Sequence, residues 1–294
     1  MKAIREKLAL LLLQLFSRTP LRLNQALGRG LGQLGWHLDN RHPRIAQINL
    51  KLCFPARDSE WVRETAKGSV IEMLSALIEA PRLWHLSKKE LNDRLDNPEI
   101  LEEILTRYRQ GNGLVIAAPH LGSWEYIGLL FAAHTQMTNL YRPPRMADLN
   151  DFIKQGRKNS GAQLVPTDGS GVRALSKALS KGECTGILPD QEPDQGSGEY
   201  ADFFGQPAYT MHLLPRLVRK RKTPVAFIYA ERLDKGHFRL HYEWADADIY
   251  STDAKTACRN INRHIEHLVM QRPEQYNWTY KRFRTQADGN QIYR

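Results

Sequence analysis

Cysteine is scarce in this chain. The three present, Cys53, Cys184 and Cys258, are far apart and odd in number. They form neither a disulfide framework nor a Cys-x-x-Cys metal motif, so a reducing compartment is expected. Long hydrophobic runs are also missing. The apolar stretch at 8–16 is interrupted by Gln14 and closed by Arg18 and Pro20, far short of the roughly 20 residues that cross a bilayer. There is no internal repeat and no low-complexity linker, which excludes a solenoid or a tethered tail. Acidic residues are the minority, 32 against 42 Lys and Arg, for a net charge of +10. That excludes an acidic disordered chain and favours an anionic partner: nucleic acid, membrane phosphate or an acidic carrier protein. With 41% hydrophobic residues in 294, the chain can build one large α/β domain or two small ones.

The N-terminus is the first informative segment. Residues 1–38 carry Lys2, Arg5, Lys7, Arg18, Arg22 and Arg29 against a single Glu6, and no small-residue cleavage site follows the apolar stretch, so a secretory signal is not expected. A second stretch, Leu21–Leu38, sets leucines among Gly28, Gly32 and Gly35. Short apolar helices with basic flanks suit the interfacial plane of an anionic leaflet. The expectation is a monotopic membrane-anchoring segment at 1–38, lying on the bilayer, followed by a single catalytic domain at 39–294. A pair of core helices in a soluble protein is the alternative.

Residues 43–110 read as helical. Ser87-Lys88-Lys89-Glu90 is a capping box, Asn97-Pro98 offers an N-cap with proline at the first helical position, and Gly111-Asn112-Gly113 is a stop. Short apolar runs then alternate with amphipathic stretches. Strands are expected at 114–118, 138–141, 163–165 and 185–188, with helices near 122–133, 148–159 and 172–180. A hairpin at 225–231 and 237–244 turns around Asp234-Lys235-Gly236, and a helix at 252–271 follows. Such alternation specifies an α/β fold with a largely parallel sheet covered by helices.

In an open α/β sheet, chemistry gathers beyond the carboxyl ends of the strands. Two runs end there: one leads into Pro119-His120-Leu121-Gly122-Ser123-Trp124-Glu125, the other into Pro189-Asp190-Gln191-Glu192-Pro193. His-x4-Glu/Asp is weak as a bare pattern; about one match is expected by chance in a chain of this composition. Three occur, His85/Glu90, His120/Glu125 and His241/Asp246. Glu90 belongs to the capping box, and His241 lies inside an alternating strand with no turn to bring Asp246 back. Only His120 follows a buried-looking strand and precedes a glycine at a helix start. Five residues along a continuous helix would put the two side chains about 140° apart. With His120 in the preceding turn, Glu125 can point back, fix the tautomer and stabilise the imidazolium formed when the other ring nitrogen takes a proton.

His120-Leu-Gly-Ser-Trp-Glu125 resembles the His-x4-Asp/Glu motif of the glycerolipid acyltransferase superfamily. In particular it resembles that of the bacterial lipid A late acyltransferases of lauroyl/myristoyl type. Further segments agree in order. Asn49-Leu-Lys-Leu-Cys-Phe-Pro55 resembles the family's N-terminal signature, and Tyr141-Arg-Pro-Pro144 with Arg157 and Gly161 its second block. Gly186-Ile-Leu-Pro-Asp-Gln191, Phe203-Phe-Gly205 and Pro207-Ala208 with Thr210 resemble the third. Glu274-Gln-Tyr-Asn-Trp278 with Lys281-Arg-Phe283 resembles the C-terminal block. One departure falls after Gln191: where the family has a Gly-Val-Phe-type run, this chain reads Gly198-Glu-Tyr-Ala-Asp202, which bears on the acyl or acceptor pocket.

The resemblance implies transfer of a fatty acyl group from an acyl carrier protein thioester to a hydroxyl on a chain of a lipid A precursor, at the cytoplasmic face of the cell inner membrane. His120 would be the base and Glu125 its partner. Arg157 is implied as an oxyanion donor, with backbone N–H groups around Gly122. Arg142 is read as a contact to acceptor phosphate or to the carrier's phosphopantetheine, and Asp190 as shaping the pocket or capping a turn. Ser123 lacks the Gly-x-Ser-x-Gly elbow, so direct transfer is expected rather than an acyl-enzyme. No cofactor and no metal are expected, since His264, Glu266 and His267 share a helix without a third ligand pattern. The basic residues Arg216, Arg219, Lys220, Arg221 and Lys222, with Lys281 and Arg282, offer anion-binding surface for lipid phosphates or an acidic carrier. An acyltransferase for another glycolipid or aminolipid acceptor is the alternative within the class. A basic nucleic-acid-binding protein is the alternative outside it, and it leaves the apolar N-terminus and the strand-end His120/Glu125 pair unexplained.

Overall fold

Leu114–Ala117 is short, continuously apolar and buried at all four positions, the signature of a strand covered on both faces. The structure, a computed structural model, describes residues 2–39, 41–143 and 147–293, with the side chains of 2–5, 147 and 148 outside the description. The motif residue Pro144 and the charges of Lys2 and Arg5 fall outside it as well.

Six helices come first: α1 (Lys2–Arg18), α2 (Leu21–Leu38), α3 (Arg41–Cys53), α4 (Ser59–Leu83), α5 (Lys88–Asn92) and α6 (Pro98–Tyr108). The alternating part follows as β1 (Leu114–Ala117), α7 (Trp124–Ala132), β2 (Thr138–Tyr141), α8 (Ala147–Lys158), β3 (Gln163–Pro166), α9 (Gly169–Ser180) and β4 (Cys184–Ile187). Then come β5 (Gly198–Phe203), β6 (Gln206–Met211), α10 (Leu213–Val218), β7 (Val225–Arg232), β8 (Phe238–Trp244) and α11 (Ala254–Gln271). The central sheet runs β4-β1-β7-β8, with β1 parallel to both neighbours and β8 antiparallel to β7. This is the mixed, mostly parallel α/β architecture expected, preceded by a helical region.

The local signals hold where side chains can be checked. Ser87 accepts from the Glu90 N–H while Glu90 reaches back to the Ser87 N–H, so the capping box is formed. Asn97, expected only to start α6, instead clamps the exposed edge: its amide donates to the Leu240 carbonyl and its oxygen accepts from the Leu240 N–H. That pairing occupies donors and acceptors on β8 that would otherwise template another strand.

Two features were not anticipated. Strands β5 and β6 form an antiparallel hairpin where the sequence shows only a departure from the family pattern; Phe204 and Gly205 turn it with positive φ of 49° and 74°. The parallel pair β2–β3 leaves the central sheet at β4. After the single bridge between Met137 and Cys184, side chains replace the backbone ladder: the Thr185 hydroxyl donates to the Thr138 carbonyl and the Gly186 N–H donates to Asn139 Oδ1. The sheet therefore splays beneath α7, and the opening becomes a pocket.

The first two helices show opposite faces to protein and solvent. Gly28 and Gly32 bring α2 so close to α4 that a Cβ at either would lie 2.6 Å from Ser75 Cα or 2.5 Å from Ile71 Cα. The other face of α2 exposes Leu23, Leu27, Leu31, Leu34 and Leu38, the last at 72%. Leu8, Leu11, Leu12 and Leu15 do the same on α1. Among the described residues no helix is long and apolar enough to cross a membrane.

Candidate active site

Parallel pairing of β1 with β4, in a register that matches Ala117 to Ile187, ends both strands at one level. The segments beyond them, Pro119-His120 and Pro189-Asp190, therefore meet. His120 Nδ1 lies 2.8 Å from Asp190 Oδ1, and the His120 N–H donates to Oδ2 of the same carboxylate at 2.9 Å. An ionised carboxylate can only accept, so Nδ1 carries a ring proton, which in the neutral imidazole puts the lone pair on Nε2. Gln191 Nε2 stands 3.2 Å from that Nε2. Asp190 is buried, which opposes its ionisation, but the His120 ring and N–H outweigh burial and lower its pKa from the ordinary 3.8. Behind it the Tyr276 phenol, buried and facing the Asp190 charge, is pushed well above its usual range.

Glu125 lies in the first turn of α7, but its carboxylate turns to other partners. Arg157 donates from Nε to Glu125 Oε2 at 3.1 Å and from a terminal nitrogen to Oε1, and the Trp84 indole N–H donates to Oε2 at 2.8 Å. Burial alone would raise the Glu125 carboxyl; the Arg157 charge and these hydrogen bonds hold it below 4.5 instead. The carboxylate bonded to His120 Nδ1 is therefore that of Asp190, brought there by the register of β1 and β4, while that of Glu125 is bonded to Arg157 and Trp84. Gly156 makes the Arg157 contact possible, since a Cβ there would sit 2.5 Å from Trp84 Cβ.

His120, Glu125, Arg157 and Arg142 all line one cavity of about 310 Å³, walled by Ile116, Gly128, Met137, Leu164 and Ile187 among others. Its lining is mostly apolar, with His120, Glu125, Arg142 and Arg157 as its charged or titratable groups. Gly122 is placed differently. Its N–H donates to the Gln275 carbonyl at 3.1 Å and the Ser123 N–H to the Ala230 carbonyl at 2.8 Å, so neither is turned to the cavity as an oxyanion donor. The glycine is required for packing: φ is +58° and a Cβ would fall 2.1 Å from the Ala230 oxygen. The Ser123 hydroxyl donates to Glu79 Oε1 at 2.6 Å in a buried position, which gives it no path to an acyl group.

The other His-x4-acid pairs do not converge: His85 Nδ1 contacts the Pro81 carbonyl and His241 Nε2 pairs with Glu231. Among the described residues there is no cluster suited to a metal ion. The basic run at 216–222 precedes the start of β7, which pairs alongside β1, and so lies at the end of the sheet opposite His120. Arg282 is buried, donating to the Tyr209 carbonyl and to Thr210, and so offers no surface charge. Trp84, Gln191 and Tyr276 complete the site without having been singled out by the sequence reading. The only sequence signal for Gln191 and Tyr276 is that each stands within a family-like block.

Residues 3–285 match the model of the bacterial lipid A biosynthesis acyltransferases. The lipid A biosynthesis palmitoleoyltransferase of Escherichia coli (strain K12) is 26% identical over 267 residues, 90% of this chain and 85% of that protein. The lauroyltransferase of the same organism is 24% identical over 279 residues, 94% of this chain and 90% of its own. Its myristoyltransferase is 26% identical over 285 residues, 92% and 84% respectively. With its splayed α/β sheet, strand-end histidine and apolar cavity, this chain belongs to the bacterial lipid A biosynthesis acyltransferase family.

Proposed function

We propose that the protein performs the secondary acylation of a lipid A precursor using an acyl carrier protein thioester, with His120 Nε2 as general base. The observation that carries the reading is the position of that ring: it is fixed by Asp190 and lines a mostly apolar cavity. An acceptor hydroxyl placed at Nε2 loses its proton to the ring as its oxygen attacks the thioester carbon. The C–O bond forms, the C–S bond breaks, and the proton passes from the imidazolium to the departing thiolate. General-base assistance of this kind is typically worth about 10²–10⁴-fold. Arg157, held at the cavity by Glu125, and the Gln191 amide are the donors for the oxyanion, since the backbone N–H groups of Gly122 and Ser123 are engaged. Arg142, exposed and lining the same cavity, receives phosphate of either substrate.

The leucine faces of α1 and α2 hold the protein on the cytoplasmic surface of the inner membrane without crossing it. Helix α1 packs against α8, the helix that carries Arg157. The test is transfer from lauroyl carrier protein to a tetra-acylated lipid A precursor, read by mass spectrometry. A mass gain of one acyl group that disappears in His120→Ala is expected. Full product from a folded His120→Ala protein removes His120 from the chemistry, and no product from wild type with any lipid A precursor moves the acceptor to another glycolipid or aminolipid.

A further inference from the structure

Five polar side chains, four from β7, α4 and α2 and one from the His120–Ser123 turn itself, converge at that turn, and none of them lines the cavity. Arg232, at the end of β7 and 6% exposed, donates twice to Glu79 of α4, from Nε at 3.0 Å and from a terminal nitrogen at 2.7 Å, and also bonds Glu72. Its guanidinium reaches the Gly122 carbonyl at 3.2 Å. Glu79, 1% exposed, accepts from the Ser123 hydroxyl and, at 3.0 Å, from Gln25 of α2. Burial works against the charge on Arg232, and the two carboxylates outweigh it, raising its pKa.

What this cluster holds is the backbone that carries the base. The Gly122 peptide is gripped from both sides, its carbonyl by Arg232 and its N–H by the Gln275 carbonyl. The Gln275 side chain in turn clamps the Arg232 backbone, accepting from its N–H at 2.9 Å and donating to its carbonyl at 3.0 Å. Ser123 is tied at its N–H to Ala230 and at its hydroxyl to Glu79; the His120 carbonyl accepts from the Asn277 N–H at 3.0 Å. A buried ion pair is an expensive way to stabilise a core, because desolvation offsets most of the attraction. Its directional bonds fix a geometry that apolar packing would leave loose.

We propose that Arg232 and Glu79 are positioning residues for acyl transfer: together they hold the His120–Ser123 turn, and hence the imidazole that lines the cavity, in place. The inference rests on His120 being the base. Gln25 adds the leucine-bearing α2 to the same rigid unit, so the turn and the membrane-facing helix are fixed to one another. A shift of about 1 Å at a reacting group costs about 100-fold in rate, and that is the size of effect expected when the clamp is released.

The experiment measures kcat and KM for lauroyl carrier protein in Arg232→Met, Arg232→Lys and Glu79→Gln, with the folded fraction determined for each by thermal unfolding. Leu50→Ala, which hollows the core at a fully buried residue of α3, controls for lost stability. In folded protein, kcat should fall about 100-fold in Arg232→Met, with KM within about threefold, while Arg232→Lys recovers part of the loss and Leu50→Ala keeps wild-type turnover. Should Arg232→Met not fold, Glu79→Gln, which preserves shape and removes one charge, carries the same expectation at about tenfold. Wild-type kcat in these variants, or an equal fall in Leu50→Ala, overturns the proposal. His120→Ala in the same assay separates the two claims: if it loses turnover while the clamp variants keep wild-type kcat the positioning inference fails, and if it is active the assignment of the base fails.

Discussion

His120 Nδ1 and Asp190 Oδ1 lie 2.8 Å apart although 70 residues separate them in the chain, while the carboxylate of Glu125 is bonded to Arg157 and Trp84. The two acids should therefore fail in different ways. Asp190→Asn keeps the shape of the group but removes the charge that fixes the tautomer, a change worth about 10⁴ in kcat for the analogous serine-protease aspartate. Glu125→Gln should lower turnover through Arg157. Arg157→Ala should cost at least as much, since it removes the oxyanion donor itself, and the double variant no more than Arg157→Ala alone, because Glu125 acts only through Arg157. Additive losses in the Glu125/Arg157 cycle would mean that Glu125 acts on His120 by a separate route.

The same ion pair predicts a pH dependence. Glu125 has a folded-state pKa below its ordinary 4.5. A carboxylate shifted downward binds fewer protons folded than unfolded. Its contribution to stability is present above about pH 4.5 and is lost as the pH falls through the lower folded value. The Tm difference between wild type and Glu125→Gln should thus be constant from pH 7 to about 5 and shrink below about pH 4. A gap that stays the same down to pH 3 would show that the charge contributes nothing to folding.

Much of this architecture is legible from local pattern, and its failures have physical reasons. Strand β1 reads as buried because five consecutive apolar residues, 114–118, run up to a proline, and β2 matches its expected limits. The β5–β6 hairpin is hidden because its turn is Phe204-Gly205, a bulky residue in the left-handed region rather than the Asn-Gly that usually announces one. The His120–Asp190 contact depends on the register between β1 and β4, which no spacing within either segment encodes. The sequence does show two parallel strand ends, each followed by proline and a titratable residue. Helical periodicity places Glu72 and Glu79 on one face of α4, but nothing in the sequence aims Arg232, 153 residues beyond Glu79, at them.

The leucine face of α2 makes a prediction about surface binding. Leu27 and Leu34 are 43% and 52% exposed, so Leu27→Asp/Leu34→Asp should leave the fold intact. Burying an exposed leucine is worth about 1.5–3 kcal/mol, and two half-exposed ones together account for about tenfold or more in partition. Cosedimentation with phosphatidylethanolamine/phosphatidylglycerol vesicles should fall by at least that factor. Gly32→Val should do the opposite, disturbing the fold because its Cβ would press on Ile71 Cα at 2.5 Å. Undiminished vesicle binding by the double aspartate variant would remove α2 from the membrane interface.

Gly128 tests whether the cavity measures the acyl chain. It sits within α7, where glycine costs about 1 kcal/mol relative to alanine, and it lines the cavity with nothing within 4 Å of the Cβ it lacks. A helix tolerates that cost where the missing side chain leaves room that something else occupies. Gly128→Ala should raise Tm slightly while narrowing the cavity by one methyl. Gly128→Leu places a four-carbon side chain in a space of about 310 Å³ and should displace the end of a long chain. Each methylene excluded from the cavity forfeits about 0.8 kcal/mol, close to a fourfold loss in kcat/KM. Competition between carrier-protein thioesters of graded length should therefore show the preferred chain shortened by about two to four carbons in Gly128→Leu, with turnover of the short chain near wild type because His120 is untouched. If both variants gain stability while the length profile stays unchanged, the acyl chain runs elsewhere and the cavity is not its seat.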